Sequence, residues 1–159
     1  SAIQVREKTF EDQKWILPYM KENWGSEKIV TKNTFYNATE LPGFIAEQNN
    51  KPVGIALYNI ENKECEVILL ESFVEKIGIG SSLINFVKKL QDQECRRIWL
   101  ITTNDNTPAI RFYQKKVFSL VAVYRNAIEE SRKLKPEIPW EGIDGIPLRD
   151  EIELELLLK

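Results

Sequence analysis

The sequence predicts an α/β (or α+β) fold, and three observations carry that reading. Short apolar runs of strand length alternate with amphipathic stretches of helical period. The 159 residues are one domain's length, enough to bury a hydrophobic core. No repeat, low-complexity tract or linker divides residues 1–159.

Residues 2–8, with Ile3 and Val5 alternating, read as a first strand, and residues 11–21 carry Trp15, Ile16, Tyr19 and Met20 at helical spacing. After a break at 23–26, residues 28–36 lean to strand through the β-branched Ile29, Val30 and Thr31. Leu41-Pro42-Gly43 marks a turn; residues 43–47 and 52–60 then read as strands joined by Gln48-Asn49-Asn50-Lys51. Residues 64–71 form another strand, whose unbroken run Val67-Ile68-Leu69-Leu70 suits a central, two-sided position. Gly80 opens a helix with Leu83, Ile84, Val87 and Leu90 on one face. Residues 97–103 are a buried-type strand. Thr107-Pro108 has the form of an N-cap followed by proline at N1, beginning a helix through residue 116. Residues 118–125 form the next strand and residues 127–135 a short helix. A Pro/Gly-rich loop then precedes a last strand, 151–158, in which Glu alternates with Ile152, Leu154 and Leu156.

Composition excludes several functions. With 43% hydrophobic and 29% charged residues and a net charge of -2, the chain has no global attraction to nucleic acid or anionic membrane. No apolar stretch approaches the roughly 20 residues that span a bilayer. Ser1-Ala2-Ile3-Gln4 lacks the basic and apolar regions of a signal peptide. Cys65 and Cys95 are too few for a disulfide framework and read as reduced thiols of a cytoplasmic protein. Cys65 sits between Glu64 and Glu66, whose charges disfavour a thiolate, and reads as a core residue rather than a nucleophile. The chain contains no histidine, which rules out Ser-His-Asp and Cys-His machinery and HExxH metal sites. Acid and base work falls to Glu, Asp, Tyr, Lys, Cys or water, and no metal is expected.

The local feature richest in chemistry is a strand, a glycine turn and a helix: Ile68-Leu69-Leu70, then Glu75-Lys76-Ile77-Gly78-Ile79-Gly80, then Ser81-Ser82-Leu83. Glycines let backbone approach a ligand closely, and a helix start offers unpaired N–H groups with partial positive charge. A phosphate or pyrophosphate fits such a turn; a plain structural turn fits it equally. A triphosphatase P-loop needs Gly-Lys-Ser/Thr, which is absent, and a dinucleotide fingerprint needs glycine where Leu83 stands.

The second motif is Thr102-Thr103-Asn104-Asp105-Asn106-Thr107-Pro108-Ala109-Ile110-Arg111-Phe112-Tyr113, followed by Val117-Phe118. It resembles the closing motif of the GNAT superfamily of acyl-CoA N-acetyltransferases, and residues 75–80 match the family's (Gln/Arg)xxGxG frame at the family's spacing upstream. The resemblance covers residues 43–126. It implies a mixed, mostly antiparallel central sheet of six to seven strands flanked by helices, with a helix-plus-loop insertion at 126–149 before the last strand. Two positions depart from the pattern. Glu75 replaces the usual Gln or Arg, which implies weakened binding through backbone N–H groups. Val117 replaces a glycine, so the left-handed helix cap is not expected.

What the resemblance implies for individual residues is specific. Acetyl-CoA is the cosubstrate. Leu69 and Leu70 offer backbone groups to the pantetheine arm, and the segment Glu75, Lys76, Ile77, Gly78, Ile79, Gly80 and Ser81 holds the pyrophosphate. Asn104, Asn106, Ala109 and Phe112 belong to the same cofactor-binding set. Tyr113 is the general acid that protonates the departing thiolate; an aromatic packing role is the alternative. A glutamate on the strand before the turn serves as base, Glu66 first and Glu64 second, because both share the parity of Leu70; a solvated strand end is the alternative. Glu71, of opposite parity, ranks behind them. The insertion, with Trp24 and Trp140, forms a lid or wall at the acceptor site. Glu151, Glu153 and Glu155 read as a solvated sheet face or as an attractor for a cationic amine. The partner implied is a small-molecule or peptide amine, without nucleic acid or membrane, and a homodimer is allowed. Transfer to an amine and non-catalytic acyl-CoA binding both remain open at this point.

Overall fold

The computed structural model describes residues 2–75, 78–90 and 95–158. Along these described residues run β1 (Gln4–Glu7), α1 (Gln13–Trp24), β2 (Lys28–Thr31), β3 (Thr34–Asn37), β4 (Gly43–Gln48), β5 (Lys51–Glu61) and β6 (Glu64–Ser72). There follow α2 (Ile79–Lys88), β7 (Arg97–Thr103), α3 (Thr107–Lys115), β8 (Ser119–Tyr124), α4 (Ala127–Leu134) and β9 (Glu151–Leu157). Seven strands form one sheet in the order β1-β4-β5-β6-β7-β9-β8, while β2 and β3 pair apart from it. Every neighbouring pair is antiparallel except β6 and β7, which run parallel. The predicted α/β class, with a mixed and mostly antiparallel sheet, is the observed one.

Each face of the sheet has its own core. On one face α2 lays Ile79, Leu83, Ile84 and Val87, all fully buried, against Phe44, Ala46, Val53, Ala56, Cys65 and Val67. Burial of each such side chain stabilises the fold by about 1.5–3 kcal/mol. On the other face Ile16 and Met20 of α1 pack on Ile45, Ile55, Leu57 and Leu69. The start of α1 is tied to β1 by Asp12, which accepts from both Arg6 guanidinium nitrogens (2.8 and 2.9 Å) and from the Trp15 indole (2.8 Å). That anchoring fixes the direction of α1 and therefore the place of Trp24 at its far end.

The β2–β3 hairpin lies over the α1 face of β6, β7 and β9. Tyr36 donates to Glu66 Oε1 (3.1 Å), and the Lys32 backbone N–H donates to Glu151 Oε2 (3.3 Å). Glu151 and Glu153 are consequently only 3% and 5% exposed, so the expectation of a solvated face at these two positions is corrected. The segment 126–149 packs against α1, β2 and the β7–α3 turn. Lys135 donates to the Lys28 carbonyl (2.8 Å), and the Ile143 N–H donates to Asp105 Oδ2 (2.9 Å).

Two helix boundaries differ from expectation. Asn106, not Thr107, caps α3: its Oδ1 accepts from the Ala109 N–H at 3.2 Å, and Pro108 falls one residue into the helix. At the other end Val117 does take the left-handed cap, with φ 71°. The Phe118 N–H reaches the Tyr113 carbonyl and the Val117 N–H the Gln114 carbonyl, both at 3.0 Å. Burial of Phe118 against Tyr113, ring centroids 5.2 Å apart, holds the chain in this turn despite the β-branched residue.

Candidate active site

The parallel ladder between β6 and β7 is short. It pairs Glu64 with Arg97, Cys65 with Ile98, Glu66 with Trp99 and Val67 with Leu100, and there it ends. Both strands continue, β6 to Ser72 on its β5 side and β7 to Thr103 on its β9 side. The strands part at Val67 and Leu100, leaving the β6 edge from Ile68 onward without a β7 partner. A cleft of about 590 Å³ fills the gap, lined by β6, the start of α2, the end of β7 and α3. An edge of unpaired backbone N–H and C=O groups in such a gap pairs readily with an extended, amide-bearing ligand.

One residue explains a second property of β6. Leu57 pairs with Leu69 and the next residue, Tyr58, with Val67, so Ile68 is an extra residue bulged out of the ladder. The bulge reverses side-chain parity. Cys65 and Val67 face the α2 core before it; beyond it Leu70 faces α2 while Leu69 faces α1. The expectation that Glu64, Glu66 and Leu70 share a face is therefore corrected: Glu66 meets Tyr36 on the α1 side, and Glu71, with Leu69, is brought to that same side.

At the mouth of the cleft Gly78 takes φ 100° and leads into α2. Gly80 lies over the Phe112 ring, where an added Cβ would come within 3.3 Å of the ring edge. The first N–H groups of α2 have no helical acceptor and turn its partial positive end toward the opening. Across from it, Ala109, Phe112 and Tyr113 form the α3 wall. Tyr113 is 6% exposed and packs edge-on against Phe112 and Phe118. Burial raises its pKa well above that of an ordinary phenol, so it keeps its proton at neutral pH. No described residue hydrogen-bonds its hydroxyl, which lines the cleft.

Two carboxylates near the gap have strongly raised pKa values. Glu71 lines the cleft; burial lifts it to about 7, and the Trp24 indole donates to its Oε1 at 2.8 Å. Glu66 is 5% exposed and also lifted to about 7 by burial, against the opposing effects of the Tyr36 hydrogen bond and the Lys32 charge. Glu66 lines not this cleft but a second recess on the α1 face. The Cys65 thiol is pushed up to about 12, chiefly by burial and then by the nearby Cys95 and Glu66, which agrees with a core role.

Residues 9–117 match the profile of the acetyltransferase (GNAT) family. The chain belongs to the GNAT family of acetyltransferases. A relative from Bacillus subtilis (strain 168), "Uncharacterized protein YdhI", is 42% identical over 136 residues, covering 84% of this chain and 85% of the relative. Two solved structures share the GNAT architecture at low identity. The "IAA acetyltransferase" of Bacillus cereus ATCC 14579 has a TM-score of 0.73 at 17% identity, covering 99% of this chain and all of that one. A GNAT family acetyltransferase from Elizabethkingia anophelis, with acetyl-CoA bound, has a TM-score of 0.71 at 21% identity, covering 98% of each chain.

Within this GNAT fold the expected cofactor residues fall into distinct groups. Leu69, Leu70, Gly78, Gly80, Ser81, Asn106, Ala109, Phe112 and Tyr113 line the one cleft. Ile79, the first residue of α2, is fully buried in the core beneath the helix, Glu75 is exposed outside the cleft, and Lys76 and Ile77 lie outside the described residues. Asn104 serves the insertion: its Nδ2 donates to the Pro147 carbonyl (2.9 Å), and its Oδ1 accepts from the Arg149 and Asp150 N–H groups (3.0 and 2.9 Å). Trp24 lines the cleft, whereas Trp140 is 73% exposed and stacked on the Arg132 guanidinium at 3.9 Å. Glu71, which reasoning from parity ranked behind Glu66 and Glu64, is the one of the three that lines the cleft. An apolar run buried on both faces gives no alternation from which a bulge could be read.

Proposed function

We propose that residues 1–159 act as one N-acetyltransferase domain, with 126–149 as an insertion, moving the acetyl group of acetyl-CoA to a primary amine by direct attack. The observation that carries this reading is the strand gap beyond Val67 and Leu100, lined by a buried phenol whose hydroxyl is unbonded among the described residues. Acetyl-CoA supplies an activated thioester. The β6 edge from Ile68 to Ser72 pairs with the amide groups of the pantetheine arm, and the N–H groups at the start of α2 hold the pyrophosphate. Asn106 caps α3 through Oδ1, leaving its Nδ2 to donate into the cleft.

Glu71 takes the proton of the attacking ammonium, directly or through one water, and Trp24 holds the carboxylate in position. The amine nitrogen forms the new bond to the acetyl carbon as the carbon–sulfur bond breaks. Tyr113 then donates its proton to the departing sulfur, and the phenolate regains a proton, through water, from the second N–H that the new amide nitrogen sheds. A carboxylate poised near pH 7 and a phenol that keeps its proton are matched to these two tasks. Binding of acetyl-CoA by the Elizabethkingia anophelis neighbour supports the cosubstrate assignment.

A thiol-release assay with acetyl-CoA and a panel of amines tests the reading. Tyr113→Phe is expected to lower turnover by about 10²–10⁴-fold, with acetyl-CoA affinity held within about twofold because the lost hydroxyl contacts only the leaving group. Equal turnover by the mutant sinks the general-acid role. Tight acetyl-CoA binding with no thiol release from any amine would leave a binding module in its place.

A further inference from the structure

None of residues 126–149 lines the cleft, yet this segment is bonded to the turn that begins one of its walls. That wall is α3, with Asn106 at its cap and Ala109, Phe112 and Tyr113 along its length. The helix is held unevenly. Of its nine residues only Tyr113 is buried, toward the C-terminal end, while Thr107 and Pro108 at the start are exposed. Apolar packing therefore fixes the far end of α3 and contributes little at the end that carries Asn106.

Polar contacts hold that end. Asp105 is 6% exposed, and a carboxylate so buried is costly unless both oxygens are hydrogen-bonded. Both are: Oδ2 accepts from the Ile143 N–H (2.9 Å) and Oδ1 from the Thr103 hydroxyl. One oxygen thus grips the insertion and the other the end of β7. The main chain closes the turn, with the Asp105 carbonyl accepting from the Thr107 N–H (2.8 Å) and the Thr103 carbonyl from the Asn106 N–H (3.0 Å). On the insertion side Gly142 lies so close to the carboxylate that an added Cβ would collide with it. Arg132 of α4 donates to the Ile138, Pro139 and Leu148 carbonyls (3.3, 2.7 and 3.0 Å), so the loop is closed on α4 independently of Asp105.

We propose that Asp105 is a positioning residue of the cofactor site. By joining the insertion to the α3 start, it sets where Asn106 and Ala109 stand against the pantetheine arm, and the insertion acts as a brace of the cofactor wall. A group displaced by about 1 Å from its ligand loses much of its effect, so the brace governs affinity without touching the ligand. The inference rests on reading the cleft as the acetyl-CoA site, and its test does not need turnover.

Calorimetric titration of acetyl-CoA reads the brace. Asp105→Ala should raise the Kd about tenfold. Asp105→Asn should stay within about threefold of wild type, because its amide oxygen still accepts from the Ile143 N–H and its NH2 donates to the Thr103 hydroxyl. Gly142→Ala opens the same contact from the insertion side and should raise the Kd about threefold to tenfold. Ile45→Val, in the α1-face core, should lower Tm and leave the Kd unchanged, which separates positioning from general loss of stability. In steady state, KM for acetyl-CoA should rise in Asp105→Ala while KM for the amine stays within about twofold. Unchanged affinity in folded Asp105→Ala, a Kd for Asp105→Asn as high as that for Asp105→Ala, or equal weakening by Ile45→Val overturns the proposal and leaves the acetyltransferase reading intact. If Asp105→Ala does not fold, a Gly142→Ala Kd equal to that of wild type overturns it likewise. Wild-type protein that binds no acetyl-CoA removes the cofactor reading and this inference with it.

Discussion

The pairing of Trp24 with Glu71 makes the base assignment testable through pH. With a pKa of about 7, Glu71 is half ionised at neutrality, and only about a tenth of it remains ionised one pH unit lower. If ionised Glu71 accepts the ammonium proton, kcat at saturating amine rises about tenfold per pH unit up to 7 and then bends. Glu71→Gln keeps the shape and removes the base, so kcat should fall by about 10²-fold or more and that limb should vanish. Trp24→Phe is the finer perturbation, because it removes the N–H that donates to Oε1 at 2.8 Å and keeps an aromatic ring. A hydrogen bond to a charged acceptor contributes about 1.5–3 kcal/mol, and partial exposure of this pair places it at the low end. Loss of the donor therefore shifts the limb from about 7 to about 8, since about 1.4 kcal/mol corresponds to one pH unit. Stopped-time thiol release between pH 5.5 and 9.5 reads both variants. A Glu71→Gln enzyme that retains the limb, beside a Glu66→Gln enzyme that loses it, would transfer the base role to Glu66 and refute the reasoning from the bulge.

Other outcomes follow from single contacts. Val117 holds φ 71° while 74% exposed, so Val117→Gly removes left-handed strain of about 1–2 kcal/mol, less the entropy cost of glycine, for a net stabilisation of about 0.5–1 kcal/mol. Urea denaturation reads this change, and destabilisation would count against the strained cap. Gly80→Val places a side chain against the Phe112 ring at the cleft mouth; overpacking of about 1–3 kcal/mol predicts a roughly tenfold to hundredfold loss of CoA affinity by calorimetry. Arg97→Leu removes one of the two cations on the buried Glu153, leaving Lys32 at 3.6 Å and the Tyr124 hydroxyl at 2.6 Å, and should destabilise the fold by about 1.5–3 kcal/mol at pH 7, visible as a lower Tm. Burial pushes the Glu153 pKa up, but its hydrogen bonds from Tyr124 and Arg97 leave it below the usual value, so its stabilising effect is present above the unfolded pKa and is lost in acid. Without Arg97 the folded pKa rises toward the unfolded value, so the variant's deficit relative to wild type should narrow as pH falls through the ordinary carboxylate range.

Local signals carried most of the fold into view. The strand at 97–103 is observed at those bounds, and the helices after the glycine turn and after Asn106 begin within one residue of expectation. Each rests on short-range physics: apolar runs, a proline near a helix start, a glycine before one. What the sequence concealed depends on partners far along the chain. Glu alternating with apolar residues in β9 reads as a wet face, yet Glu151 is covered by Lys32, 119 positions away. The cap at Val117 forms because Phe118 is buried against Tyr113, a tertiary demand that overrides local preference. Asn104 lies in the family motif, but its hydrogen bonds go to Pro147, Arg149 and Asp150.

The two faces of the sheet differ in sign where the strands part. On the α2 side the opening is met by helix N–H groups and the Gly78 turn, a setting for phosphate. On the α1 side it is met by Glu71, held by the Trp24 indole, a setting for ammonium. In the proposed reaction an anionic thioester carrier and a cationic amine would approach from opposite faces, and the gap beyond Val67 and Leu100 is where a paired sheet no longer separates those faces. The Ile68 bulge lies beside this gap and turns Glu71 to the amine's side. Deleting Ile68 would remove the extra residue and the bulge together, so Glu71 would keep its place opposite Ile55 and its side on the α1 face. The expected result is a folded protein whose pH–rate limb assigned to Glu71 persists, and loss of that limb on deletion, with the fold intact by Tm, would refute Ile68 as the bulged residue.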